Sequence, residues 1–494
     1  MIRARWSTAQ AFEILLFAAT LLAVAIFVLV GAGRPVWQDE AATIQISSQS
    51  FAGIVESLRR ENNFPLYFFL LSIWIRCFGD SEIALRLLSA IFYLAGGAAA
   101  FALGRCVSST RRGAWYSAFF YLLSPLAIRQ AQNIRMYSLL GLLSALSTLL
   151  FVRLFFGRSE PRPSEGVKKS VGRRKRLPHQ DATPGSARWD RRFRLSTPRL
   201  QRFFHSSSGS GWSSLLFTLL NAAGLLTHIW FAFVLAAQLL AVFLFERRRL
   251  RACLAGMALA GLPLLVLWAG PFLDQIHNGA SNWMAMYPTR LLLLAPIEFY
   301  GLPAALVYYA IAAYSWAAAD TGKRPRMVPL LSLLFAVSLA IPLIVSLARP
   351  IYFPGRYAVI ALPPLAALLA AVLSGLFPRV LLPLLCFPLL AFEVANQVAH
   401  RDDLLDADTT AGQSDRTTAR FLLQHAAPGD VLVFTSLTRP AADYYLHRAH
   451  AQGRFVEISF PNENETHPGW ADSVVAPDRR DALESEAAAT ATRL

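Results

Sequence analysis

The chain has 494 residues, 55% of them hydrophobic and only 16% charged, with a mean hydropathy of +0.41. Repeated apolar runs of bilayer-spanning length make up most of it, which excludes an ordinary soluble enzyme and implies a mainly α, polytopic membrane protein. The formal charge of +16 would suggest a nucleic-acid partner in a soluble protein, but residues 157–211 hold fourteen Lys/Arg against four Asp/Glu while residues 398–494 hold nine against fifteen, the asymmetry expected of two sides of one membrane.

Arg3 and Arg5 precede the first apolar run, 11–30, which reads as a signal anchor with the N-terminus in the cytoplasm. Asp39 and Glu40 then emerge on the outer side, at the start of an outer loop spanning 31–82. In that loop, 51–60 has the spacing of a short amphipathic helix, and 64–78 is too short and too charged at Arg76 to span, so both are placed in the interface. With that choice, 83–103 runs inward and delivers Arg105, Arg111 and Arg112 to the cytoplasm; 114–128 returns outward, and 136–156 runs inward again.

Residues 157–211, with Lys168-Lys169 and the Arg173 to Arg176 cluster among Pro, Gly and Ser, have too few apolar residues for a core. They read as a disordered cytoplasmic loop attracted to anionic membrane lipid, with no nucleic-acid partner. A hairpin follows, 215–226 and 229–245, turning at Thr227-His228-Ile229-Trp230. Further runs at 253–270, 291–318, 328–347, 358–376 and 380–394 bring the count to about eleven spans. The domains expected are 1–156, an N-terminal transmembrane module carrying the chemistry; 157–211, the basic loop; 212–397, the C-terminal transmembrane helices; and 398–494, a small extracytoplasmic α/β appendage. In the appendage 418–425 reads as a helix, 428–430 as a turn, 431–434 as a buried strand and 444–446 as part of a second helix, with the end from Asp472 fraying. Cys77, Cys106, Cys253 and Cys386 lie in or beside apolar segments and read as packing residues, and His447 and His450, lacking a third ligand, as surface residues.

On this topology one face collects Asp39, Glu40, Asn63, Arg86, Arg129, Arg135, Tyr137, His228, Arg349, Arg356 and Tyr357. An adjacent acid pair at a membrane boundary is either a solvated loop or a general base or cation-binding group set where a membrane-bound substrate presents its reacting end. Arg135 with Tyr137 and Arg356 with Tyr357 suit a phosphate, since guanidinium grips phosphate oxygens in bidentate fashion and phenol adds a bond; the competing account is interfacial anchoring. His228 at a tight turn is either catalytic or a structural hydrogen-bonding residue. A lipid or solute transporter would predict inverted repeats and midplane charges instead, and neither is visible in the sequence.

The order Trp37-Gln38-Asp39-Glu40, Asn63-Phe64-Pro65-Leu66-Tyr67, Phe78-Gly79-Asp80-Ser81-Glu82, Ala84 to Ser89, Ser124-Pro125 and Asn133-Ile134-Arg135-Met136-Tyr137 resembles the polytopic GT-C-type glycosyltransferases that use lipid-linked sugars, among them protein O-mannosyltransferases and the aminoarabinose transferases of lipid A. The resemblance covers roughly the first 230 residues well. It implies a sugar transferred from a polyprenyl-phosphate donor to a lipid, glycan or protein acceptor, on the extracytoplasmic face of a bacterial inner membrane. It implies Asp39 as the base, with inversion at the anomeric carbon and no covalent intermediate; Glu40 is the second catalytic candidate, orienting an arginine or a metal. Arg86, Arg135, Tyr137, His228, Arg356 and Tyr357 are the substrate-binding candidates. Family members often carry His-Pro-Pro where this chain has Asn63-Phe64-Pro65, and an acid where it has Asn133. Without that second acid no metal site or other cofactor is assigned, and a divalent metal stays open.

Overall fold

The structure, a computed structural model, describes residues 28–61, 63–108, 111–157, 210–277, 289–318, 327–376, 415–435, 438–462 and 480–493, with single positions in 15–26 and 391–399. The basic block over 158–209, the last expected span at 380–394 apart from one position, and Cys386 lie outside the described residues.

In chain order the elements used below are α1 (Gln38–Ser47), α2 (Phe51–Arg60), α3 (Pro65–Phe78), α4 (Glu82–Val107), α5 (Arg111–Leu122), α6 (Pro125–Ala131), α7 (Tyr137–Phe151), α8 (Ser210–Thr227), α9 (Phe231–Phe245), α10 (Leu250–His277), α11 (Leu302–Ala318), α12 (Met327–Ala348), α13 (Leu362–Leu376), α14 (Asp415–His425), β1 (Val431–Thr435), α15 (Arg439–Arg448), β2 (Val456–Phe460) and α16 (Arg480–Arg493). Among the described residues four stretches are long and apolar enough to cross a membrane: Glu82–Val107, Tyr137–Phe156, Arg247–Ile276 and Met327–Ala348. Shorter apolar helices pack beside them, and the whole is the helical bundle of an integral membrane protein.

Close approach of α4 and α5 is permitted by glycine. A Cβ on Gly97 would fall 2.6 Å from Leu122 Cδ2, and one on Gly104 would fall 2.7 Å from the Gly113 carbonyl. Deeper in the bundle Ser147 donates to Asn221 at 2.6 Å and accepts from Gln238 at 2.9 Å, joining α7, α8 and α9 by hydrogen bonds.

Three expected spans are broken. The run 114–128 stops at Leu122 and restarts at Pro125, which lacks an N–H to continue the ladder. The run 291–318 divides into a 3-10 turn, Thr289–Leu294, and α11, around Gly301 with φ of 74°. The run 358–376 opens with a 3-10 turn, Tyr357–Ala361, before α13. Backbone groups freed at these breaks are satisfied internally, as an apolar environment demands: Ser124 Oγ donates to the Phe299 carbonyl at 2.7 Å, Ser144 Oγ to the Ile360 carbonyl at 2.6 Å, and Tyr300 Oη to the Phe120 carbonyl at 3.1 Å.

Residues 415–460 form a βαβ unit in which β1 pairs in parallel with β2, Val431 opposite Val456 and Thr435 opposite Phe460. The second strand, Val456–Phe460, had no expectation attached to it. The end was expected to fray, but 480–493 is helical; a run rich in Ala and Glu has high helix propensity even without an apolar face. His447 and His450 are exposed.

Candidate functional site

The stretch expected to be loop around the acid pair is a helix. Trp37 caps α1 in an extended conformation, and Asp39 and Glu40 occupy the first turn, where carboxylates favour the positive end of the helix dipole. Consecutive helix residues point about 100° apart, so the two acids face different surroundings.

Glu40 faces inward and is fully buried. Its Oε2 meets Arg86 Nη2 at 2.7 Å, and its Oε1 accepts the Ile134 N–H at 2.8 Å. Arg86, one turn into α4, spends all five of its N–H groups: on Gln132, Ala32, Arg34 and Pro35 carbonyls and on Glu40. It has no donor left for a substrate and is 1% exposed. This geometry does not suit the substrate-binding role expected of Arg86, and it makes Glu40 its counter-ion.

Asp39 faces the other way. Its Oδ2 lies 3.1 Å from Arg356 Nη1, and the two side chains are 15% and 19% exposed. Arg356 is held between two rings, 5.3 Å from the Trp37 centroid and 4.8 Å from that of Phe353. Trp37 in turn donates to Asn133 Oδ1 at 3.2 Å, the position where an acid was expected from the resemblance.

Arg135 lies beneath this pair. Its Nη1 donates to the Asp39 carbonyl at 3.1 Å and to Thr43 Oγ1 at 2.9 Å, and its Nε is buried with no hydrogen-bond partner among the described residues. Burial works against its charge, but Tyr137, Asp39 and Glu61 more than offset that and hold its pKa above the ordinary arginine value. Tyr137, His228 and Tyr357 form an aromatic wall: His228 and Tyr357 centroids are 5.1 Å apart, Tyr137 and Tyr357 5.9 Å, and Tyr357 stacks on Trp230 at 4.8 Å.

His228 sits in the turn between α8 and α9. Its Nδ1 accepts the Trp230 N–H at 3.1 Å, which places the proton of the neutral ring on Nε2. Burial and the nearby Arg135 push its pKa down to about 3, so the ring is uncharged at neutral pH.

The segment 349–357 that brings in Arg356 and Tyr357 is pinned by Glu298, which lies in the turn ahead of α11 and outside the spanning helix. Glu298 accepts from the Tyr352 hydroxyl and the Gly355 N–H, and burial raises its pKa to about 7. Gly355 has φ of 77°, a left-handed conformation that calls for glycine.

The structure therefore brings Asp39, Arg135, Tyr137, His228, Arg356 and Tyr357 into one cluster, of which Asp39 and Arg356 are the part-exposed members, and turns Glu40 and Arg86 into the wall behind it. Sequence reasoning missed Trp37, Glu61 and Glu298. Glu61 accepts from Asn63 Nδ2 at 3.2 Å, whose Oδ1 lies 3.5 Å from Arg135 Nη2. A lone carboxylate in the apolar run 291–318 was the signal available for Glu298, and Trp37 stood in the motif of the acid pair without a role of its own; Glu61 carried no signal. Among the described residues no group of three or more His, Cys, Asp or Glu is placed to hold a metal ion.

No family model matches the chain, and no curated protein matches it in sequence. Its fold is similar to that of ArnT from Cupriavidus metallidurans. The crystal structure of ArnT in the apo state aligns with a TM-score of 0.50 at 15% identity, covering 91% of this chain and 75% of that one. The structure of ArnT bound to undecaprenyl phosphate aligns with a TM-score of 0.58 at 14% identity, covering 95% and 89%. The chain has the GT-C-type fold that its sequence motifs resemble.

Proposed function

We propose that this protein is an integral membrane glycosyltransferase of about eleven spans that moves a sugar from a polyprenyl-phosphate donor to a lipid, glycan or protein acceptor. The reaction takes place on the extracytoplasmic face of the inner membrane, with Asp39 as general base. What carries the reading is the half-open Asp39–Arg356 pair at 3.1 Å, on a fold shared with a protein crystallised with undecaprenyl phosphate.

The pair supplies both halves of the chemistry. A donor phosphate entering the site competes with Asp39 for Arg356, because guanidinium binds phosphate oxygens at least as well as a carboxylate. Asp39, released from its partner, accepts the proton of the acceptor hydroxyl. The acceptor oxygen bonds to the anomeric carbon as the bond from that carbon to the phosphate oxygen breaks. The electron pair leaves with the polyprenyl phosphate, whose added charge Arg356 offsets. One carboxylate and one displacement invert the configuration without a covalent enzyme intermediate. Arg135 holds the Asp39 carbonyl and keeps positive charge beneath the site, while Tyr137, Tyr357 and neutral His228 form an aromatic wall for the sugar and lipid.

The test is transfer of labelled sugar by the purified protein from a panel of polyprenyl-phosphate sugars to membrane acceptors, with binding of undecaprenyl phosphate measured in parallel. Donor-dependent labelling and saturable lipid binding are expected. Absence of both would overturn the reading.

A further inference from the structure

The backbone leading into α1 is gripped from two sides. From within the bundle Arg86 takes the carbonyls of Ala32, Arg34 and Pro35. The groups between and just after them go to the C-terminal unit: Arg416 Nη2 donates to the Gly33 carbonyl at 2.8 Å, and Tyr445 Oη accepts the Val36 N–H at 2.7 Å. Both of these residues also close on one carboxylate in the first turn of α4, since Tyr445 Oη donates to Glu82 Oε1 at 2.6 Å and Arg416 Nη2 meets Glu82 Oε2 at 2.7 Å. Arg416 sits over the Tyr445 ring at 6.0 Å, so the three side chains form one unit. These contacts link residues more than 330 positions apart in the chain, and they end two residues before α1 begins and three before Asp39.

Resting on the proposed role of Asp39, we propose that Tyr445 and Arg416 are positioning residues: through Glu82 and the 33–36 backbone, the C-terminal βαβ unit fixes the angle at which α1 presents Asp39 to Arg356. A chain segment held by two hydrogen bonds from a separate unit follows that unit's position, and misplacing a reacting group by about 1 Å costs roughly a hundredfold in rate. The α1 helix also packs on the unit directly, Ala41 and Ile44 sharing one apolar cluster with Ala441, Tyr444 and Tyr445 of α15. The unit docks through further contacts that do not reach 33–36, the Arg448–Asp80 ion pair at 3.0 Å and the bond from Tyr444 Oη to the Asp80 carbonyl at 2.9 Å. Those contacts separate docking from positioning.

The experiment compares Tyr445→Phe, which keeps the ring and removes only the hydroxyl, with Arg448→Ala, which removes one exposed ion pair of the unit and leaves every contact to 33–36 in place. Two quantities are read: amide hydrogen exchange over residues 33–40, and transfer kinetics. In Tyr445→Phe exchange over 33–40 is expected to quicken about tenfold, the effect of losing one buried hydrogen bond. Its kcat is expected to fall about tenfold with the donor KM within roughly twofold, the pattern of a group held wrongly rather than a substrate bound poorly. Arg448→Ala should leave both unchanged. Unchanged exchange in Tyr445→Phe, equal changes in the two variants, or quicker exchange with an unaltered kcat would each overturn the proposal. Exchange is read without substrate, so a wild-type protein that transfers nothing would count against the proposed enzymatic function while exchange still decides whether the unit holds this segment.

Discussion

Asp39 and Glu40 are neighbours in the chain, each paired with an arginine, and the two pairs are built for opposite purposes. Glu40–Arg86 is sealed, with both side chains no more than 1% exposed, both carboxylate oxygens engaged and every arginine donor spent. Asp39–Arg356 is held at the rim by one contact of 3.1 Å, and its arginine is braced by aromatic faces that impose no competing hydrogen bond. A buried, saturated pair fixes geometry and cannot release either member cheaply. A half-open pair with spare donors can exchange one partner for an incoming anion. The difference shows that an acidic dipeptide can be divided by helix phase into one sealed and one half-open carboxylate.

The comparison is broken most severely on its buried side. Glu40→Gln leaves the Arg86 charge buried without a counter-ion, and a loss of about 3–5 kcal/mol of stability is expected; thermal unfolding in detergent measures it, and a shift no larger than that of a surface substitution would refute the sealed-pair account. On the rim, Arg356→Ala is expected to leave the unfolding midpoint nearly unchanged, since a half-exposed pair contributes about 1 kcal/mol or less. The same variant should weaken binding of undecaprenyl phosphate by roughly ten- to a hundredfold, the cost of a lost charge-assisted pair; Arg356→Lys should recover only part, because lysine lacks the planar fork.

The remaining effects come from titration. The folded protein binds a proton at His228 only near pH 3, whereas an unfolded histidine does so near 6.5. Stability from the neutral ring is therefore complete above pH 6.5 and is lost as pH falls toward 3, with a slope of about 1.4 kcal/mol per pH unit. His228→Gln should flatten that part of the stability profile. Glu298 has the opposite sign: its folded pKa of about 7 stands above the ordinary 4.5, so stability declines as pH rises from 4.5 to 7, and Glu298→Gln should remove the decline.

Much of this was legible in the sequence because it follows from hydropathy and charge. The acid pair at the end of an apolar run, the tight turn at Thr227 to Trp230 and the parallel unit's first strand all have local signals. The side on which each acid lies does not, since it depends on α1 being a helix at all, and 38–47 has no apolar stripe to announce one. That the donors of Arg86 are all occupied was hidden for a related reason: an arginine at a span entrance looks available until the five acceptors that exhaust it are in place. Glu82 and Tyr445 are 363 positions apart, and no local pattern connects them.

The central claim is that Asp39, and not its neighbour, performs the chemistry, and the most direct test is single-turnover sugar transfer by Asp39→Asn. The substitution keeps the size of the side chain and its place in α1, so folding is expected to match the wild type and binding of undecaprenyl phosphate to be no weaker, since the carboxylate that competes for Arg356 is gone, while transfer falls by about 10²–10⁴, the usual contribution of a general base. Transfer at the wild-type rate by a folded, lipid-binding Asp39→Asn protein would contradict the account.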